Sequence, residues 1–411
     1  MRAIKQPSLF LLLLLHLCVA LPLGAAQANT DASDQAKRQR AVALFGRGKR
    51  LEALPLLAEL VQKNPQDAEL LVALAASLID HAATLTDQEA AAKERFRARD
   101  LVQRAWELGN TSPLAENLRQ LLGELPPNGV IKFSDNPAVE QVMSAGEAAF
   151  ARRDFDEALK DYAKALGLEP TNYSAALFTA NTYDRKNDCA QASEWYERAM
   201  QLDPNIETAY RYYADMLARQ GDMAKARSML IHAAVAEPYN KIVWRELNAW
   251  ATINHTAINK LLVIIGLPRK DGQTVGTKSD PKQPADANTA WQQAYWSLRE
   301  NWRHGDAFKK HYPQEAEYRH SLAEESEALE AAAQAGEKLK NETKNRESAA
   351  ADPYLDLLLK LHHADLIEPY VLFSLGDDGI AKDYIPYRAK NRDKLEAYMD
   401  TFVVPPAPAR P

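Results

Sequence analysis

The chain is poor in cysteine. Two occur in 411 residues, Cys18 and Cys189, so a disulfide-stapled scaffold is excluded. Charge of one sign is also lacking: 50 Lys and Arg stand against 56 Asp and Glu, a net −6. That balance does not supply the basic footprint of sequence-independent nucleic-acid binding, and no nucleic-acid partner is expected. No apolar run reaches the roughly 20 residues that a membrane-spanning helix needs. There is no G-x-S-x-G elbow, phosphate loop or H-E-x-x-H pair, so no catalytic residue, cofactor or metal ligand is assigned. What is present is globular: 46% hydrophobic and 26% charged residues, in a length that suits two or three domains.

Residues 1–28 read as a secretory signal peptide. Arg2 and Lys5 make a positive start, an apolar run follows from residue 9 to 21, and Ala26-Gln27-Ala28 is a small-x-small cleavage site. Cleavage there removes two positive charges and takes −6 to −8. Leu17 before Cys18 does not suit a lipoprotein signal. Cys189 is then the remaining cysteine, so the exported chain relies on its apolar core. A bacterial periplasm is the expected location. A eukaryotic secretory lumen is the alternative, where four N-x-S/T triplets, Asn110, Asn172, Asn254 and Asn341, become glycosylation acceptors.

Residues 139–238 organise the chain. Pro170, Pro204 and Pro238 stand 34 residues apart, as do Asp154, Asp188 and Asp222, then Ala158, Ala192 and Ala226, then Ala165, Ala199 and Ala233. A fixed period of this length marks a repeat architecture. Each unit is expected to hold two antiparallel helices. An Asp opens the second helix as its cap, a small residue sits where the helices cross, and a proline closes the unit. Gly146 is the close-packing residue of the first unit.

These features resemble the tetratricopeptide repeat family. The resemblance implies an all-α fold, a helical-hairpin solenoid, here followed by a helical C-terminal module. A weaker copy is expected upstream: Ala41, Leu44, Ala53, Leu57 and Leu60 keep the same offsets from Pro65 as their counterparts do from Pro170. The expected domains are a divergent N-terminal repeat block at 34–123, the main array with a capping helix at 137–266, a linker at 267–288, the module at 289–404 and a proline-rich tail at 405–411. Within them, Thr86-Asp87-Gln88-Glu89 reads as a capping box and Asn136-Pro137 and Asp352-Pro353 as helix starts. Residues 261–265 fit a buried helix end or a short strand. Residues 314–340 read as one long charged helix, and 384–402 as a last helix bent near Pro386.

In that family, first helices line a concave wall that accepts a segment of another protein. Carried over unit by unit, the wall is Met143, Glu147 and Phe150, then Phe178, Asn181, Asp184 and Arg185, then Arg211, Tyr212, Asp215 and Arg219. Aromatics and arginines suit anchoring roles; the bland alternative is a solvated helix face. The family's basic clamp for a C-terminal carboxylate is mostly absent, because Met143 and Glu147 stand where lysine and asparagine are needed and Asn181 alone matches in kind. His362-His363 point apart on a helix, and His304, His311 and His320 lack chelating spacing. Cys189 opens a repeat helix without a nearby histidine and reads as structural. Glu324, Glu325, Glu327 and Glu330 read as a solvated charge run.

The expected function is an exported scaffold binding a protein or peptide partner in bacterial envelope assembly or maintenance, without catalysis. The alternative is an enzyme with its active site in 289–404 and repeats that recruit its substrate. A third reading is homo-oligomerisation through Trp291, Tyr295, Trp296 and Trp302.

Overall fold

In the computed structural model the 34-residue period becomes a repeated turn. The described residues are 32–123, 125–265, 267–268, 274–275, 290–343 and 352–406. The expected signal segment 1–28, most of the expected 267–288 linker and the end of the tail lie outside them. The chain forms two compact units, Met1–Ala209 and Tyr210–Pro411. The division falls inside the repeat array.

The first unit contains α1 (Ala32–Gly46), α2 (Arg50–Lys63), α3 (Ala68–Ala83), α4 (Gln88–Glu107), α5 (Pro113–Gly123), α6 (Pro137–Ala151), α7 (Phe155–Leu168), α8 (Tyr173–Arg185) and α9 (Cys189–Leu202). Successive helices pack on one another from α1 to α5 and from α6 to α9, and α3 packs on α6. Gln88 donates to Ser144 at 3.2 Å, a polar tie between the start of α4 and α6.

Each hairpin turn follows from one residue used twice. The Asp154 amide donates to the Ala149 carbonyl at 2.9 Å, closing α6. Its carboxylate then accepts from the Glu157 amide at 3.4 Å, opening α7. Asp188 repeats this with Tyr183 and Gln191, and Asp222 in the second unit with Leu217 and Lys225. The residue before each Asp is left-handed: Arg153 (φ 65), Asn187 (φ 60) and Gly221 (φ 87). This geometry closes a helix by a pair of backbone hydrogen bonds, and a carboxylate at the next N-terminus also faces its positive dipole end.

Small residues then let the helices meet. Ala158 and Ala192 are fully buried. A Cβ on Gly146 would stand 2.6 Å from the Tyr162 ring, so that ring fits only above glycine. The helices end two residues before Pro170 and Pro204, through Glu169 (φ −140) and Asp203 (φ −143); a proline forces this extended backbone on its predecessor. One cap differs from expectation. Asp87, not Thr86, caps α4 by accepting from the Glu89 and Ala90 amides, since a carboxylate is the stronger acceptor at a positive helix end.

The second unit takes up α10 (Glu207–Gln220) from Tyr210 onward and adds α11 (Met223–Ala236), α12 (Lys241–Ile253), α13 (Ala290–His304), α14 (Ala307–His311), α15 (Leu322–Thr343), α16 (Pro353–His363), α17 (Ile367–Ser374) and α18 (Tyr384–Tyr398). A two-residue antiparallel pairing joins Leu267–Pro268 to Thr274–Val275; otherwise the described fold is all-α. α13 packs on α15, which carries α16 and α17. A Cβ on Gly336 would meet Leu355 at 2.2 Å, so α15 and α16 touch closely.

α11 is packed by α12 and by α18 with the π-turn Met399–Val403. α11 and α18 exchange caps. Tyr384 and Arg388 donate to the last α11 carbonyls, Val235 at 2.7 Å and Ala236. In return Arg227 donates from α11 to the carbonyls of Asp400 at 2.7 Å and Val404 at 3.0 Å. Carbonyls at helix ends lack partners within their own helix, so α18 completes the end of α11, and α11 completes the π-turn that follows α18.

Three expectations change here. Residues 261–265 are neither helix nor strand. Val263 turns inward and its amide donates to the Tyr370 hydroxyl at 2.8 Å, while Leu262 and Ile264 are exposed. The long charged helix begins at Leu322, not near residue 314. Arg319 is held instead by Glu315 and Asp383, and the Leu322 amide donates to Asp383. The last helix breaks at Asn391 (φ −134, ψ 37), not at Pro386. Pro386 lies in the first turn, where its missing N–H removes no helical bond.

Candidate functional site

The first-helix positions separate into those that hold the repeats together and those that face outward. In the first unit Met143, Phe150, Phe178 and Asn181 are buried. Phe178 is 7% exposed; its ring lies 5.8 Å from Tyr162 and 5.9 Å from Phe133. Phe150 meets Phe155 at 5.6 Å. Asn181 accepts from the Tyr196 hydroxyl at 2.8 Å, and Glu147 accepts from Tyr162 at 2.6 Å. Burial pushes the Glu147 carboxyl up to about 7 against the pull of that hydrogen bond. Glu147, Asp184 and Arg185 are half-buried.

In the second unit Arg211 is 4% exposed, pairs with Glu246 at 2.5 Å and lies 5.5 Å from the Tyr212 ring centroid. Asp215 and Arg219 are exposed and form an ion pair at 3.2 Å. Tyr212 is half-buried. Phe178 and Arg211 therefore give packing and internal pairing, with little area left for a ligand.

The sequence reading missed a buried ionic network in the C-terminal module. Of the glutamates on α15, Glu324 and Glu325 are not part of a solvated face, whereas Glu327 is exposed and Glu330 half-buried. Glu324 is 0% and Glu325 3% exposed. The Arg299 guanidinium of α13 lies against both, with Nε 2.6 Å from Glu324. Tyr295 donates to Glu325 at 2.7 Å and Tyr318 to Glu324 at 2.8 Å. His320 places Nε2 2.9 Å from Glu325 and Nδ1 2.8 Å from Asp377. Glu327 takes the Trp302 indole N–H at 2.9 Å, and Glu330 faces His362 at 2.6 Å. Burial alone raises the Glu325 carboxyl, but His320, Arg299 and Tyr295 outweigh it and hold it below the usual range. Burial and the adjacent Glu325 raise the Tyr295 hydroxyl. The groups converge from α13, α15 and two loops, so no local motif announces them. Each of these carboxylates already faces a donor from its own module, the arrangement of a structural network.

Trp291, Tyr295 and Trp302 are buried inside the module, and Trp296 is half-buried. His362 and His363 turn to separate carboxylates, Glu330 and Glu337. Among the described residues no group of three or more His, Cys, Asp or Glu is arranged to hold a metal ion, and no helix is long and apolar enough to cross a membrane.

Residues 149–211 match the family described as tetratricopeptide repeat. No curated protein matches the chain. Solved structures similar to it include MamA from Desulfovibrio magneticus RS-1, at 16% identity over 51% of this chain and 98% of that one, TM-score 0.23. PilF from Pseudomonas aeruginosa is 16% identical over 54% and 85%, TM-score 0.26. Yeast Tom70 is 18% identical over 82% and 70%, TM-score 0.27. Likenesses of this size say nothing of partner or activity. The repeated Asp-capped turns and the match agree over this stretch, and residues 149–211 carry tetratricopeptide repeats.

Proposed function

We propose that the protein is an exported, non-catalytic scaffold that holds a protein or peptide partner on the first-helix faces of its repeats, within the bacterial envelope. The observation that carries this reading is the division of labour along α6 and α8. Periodic residues are consumed by caps, crossings and Tyr hydrogen bonds, while the Asp184 and Arg185 side chains stand half-buried at the end of α8. Such positions can be varied to choose a partner without disturbing the backbone. The signal-like residues 1–28 support export, and a periplasmic location is part of the proposal.

The test uses the chain from residue 29 as bait in a periplasmic extract. Charge reversal by Asp184→Lys with Arg185→Glu, and separately Asp215→Lys with Arg219→Glu, is expected to remove proteins captured by the parent while circular dichroism stays unchanged. Capture that survives both pairs of reversals rejects the first-helix faces. Alanine at Phe178 or Arg211 is the wrong probe, because both side chains are buried and their loss would report on packing.

A further inference from the structure

His320 stands between two carboxylates from different elements. Nε2 is 2.9 Å from Glu325 on α15, and Nδ1 is 2.8 Å from Asp377 in the turn after α17. A neutral imidazole donates through one ring nitrogen and offers a lone pair at the other. In this position that lone pair would point at a carboxylate oxygen. Only the imidazolium satisfies both contacts. We infer that His320 is a pH-operated latch: protonated, it ties the Asp377 turn to the start of α15, and deprotonated it lets that turn go.

The surroundings favour this assignment. Glu325 and Asp377 face the ring directly. Arg299 of α13 reaches Glu325 from the far side, and Tyr295 donates to the same carboxylate. Arg319, the preceding residue, is directed to Glu315 and Asp383. The Tyr239 hydroxyl is raised by burial and by the Asp377 charge. Burial and the Arg299 charge oppose protonation of His320, yet the two carboxylates prevail and its pKa lies above the ordinary value.

The latch is local. Asp377 also accepts from the Gly379 and Ile380 amides, both at 2.9 Å, so its side chain organises the turn it anchors. Arg319 donates to the Gly379 carbonyl at 2.8 Å and does not titrate in this range. It keeps the neighbouring 3-10 turn Ile380–Asp383 in place when His320 lets go. A histidine with a raised folded pKa gives stability that is complete below its unfolded value and is lost as pH rises through the folded one. The release therefore begins above the ordinary histidine range of about 6.5 and runs upward.

Two readouts on the full chain decide it. In spectra of 13C-histidine-labelled protein, assigned by the signal missing in His320→Gln, His320 should titrate above about 6.5, and Asp377→Asn should lower its midpoint. A parent midpoint at or below the ordinary value overturns the proposal. Amide exchange at Gly379 and Ile380, corrected for intrinsic rates, should quicken in a step as pH rises through that midpoint. His320→Gln should show no such step. A parent without the step, or a His320→Gln variant that retains it, equally overturns the latch.

Discussion

The Tyr162 hydroxyl donates to the Glu147 carboxylate at 2.6 Å across the first hairpin of the period. One repeat later the Tyr196 hydroxyl makes the same bond to Asn181 at 2.8 Å. The third copy of the pair is Asp215 and Leu230; with no hydroxyl to accept from, Asp215 pairs with Arg219. The same position is thus an ionisable half-buried acceptor, a neutral buried acceptor and an exposed charge in turn.

The first of these has a pH consequence. The folded Glu147 carboxyl lies at about 7, against an ordinary 4.5. Between those values the native state binds more protons than the unfolded chain, so this residue makes stability fall as pH rises. Glu147→Gln keeps an oxygen for Tyr162 and removes the titration. The variant should exceed the parent by about 1–2 kcal/mol at pH 8, allowing for the partial exposure of the group. The gain should shrink as pH falls below 7 and vanish near 4.5. Urea denaturation at several pH values, followed by circular dichroism, measures the difference.

Arg153, Asn187 and Gly221 occupy one left-handed position in three repeats, which makes a graded experiment possible. A side chain there costs about 1 kcal/mol, less for asparagine. Arg153→Gly should therefore stabilise by about 0.5–1 kcal/mol, Asn187→Gly by less, and Gly221→Ala should destabilise by about 1 kcal/mol. A Cβ on Gly221 would meet nothing within 4 Å, so its cost is purely conformational. Equal effects at all three sites would contradict the shared geometry.

This position also marks how far the sequence could be read. The capping Asp, the small crossing residues and the closing prolines repeat every 34 residues, and each has the structural role its chemistry implies. The left-handed residue escaped notice because only the third copy is glycine. The inward glutamates escaped for another reason. Glu324 and Glu325 look solvated until Arg299, 25 residues earlier, is folded against them. Periodic backbone devices are legible in one dimension, whereas charge burial depends on long-range partners. The first-helix wall shows both limits: its residues were found by period, but Phe178 and Arg211 proved buried because their neighbours fill the space above them.

Arg227 should bear directly on the end of the chain. Its guanidinium caps the carbonyls of Asp400 and Val404 and pairs with the Asp400 carboxylate at 2.5 Å. Arg227→Met keeps the aliphatic stem and removes the donors. A loss of about 1.5–3 kcal/mol is expected for charge-assisted bonds at a partly buried site. Hydrogen exchange should rise selectively over residues 399–404, where the freed carbonyls lie. A uniform rise along α15 and α16 instead would mean that Arg227 supports the module as a whole.

The Arg299 network allows a sharper test, because its members differ in what remains when one is removed. Arg299→Met leaves Glu325 with His320 and Tyr295, but leaves Glu324 with the Tyr318 hydroxyl and with Arg303 only at 3.9 Å. Glu324 is fully buried, so its charge is the one left stranded. Breaking a buried pair in this way costs about 3–5 kcal/mol. Adding Glu324→Gln removes the stranded charge and still accepts from Tyr318, so the double variant should recover a large part of that loss. Adding Glu325→Gln should recover little, since Glu325 keeps its other partners. Urea denaturation read by tryptophan fluorescence follows all three variants, as Trp291 and Trp302 are buried on α13 beside Arg299. If the Glu324→Gln double variant is no more stable than Arg299→Met alone, the stabilising role assigned to the Arg299–Glu324 contact fails.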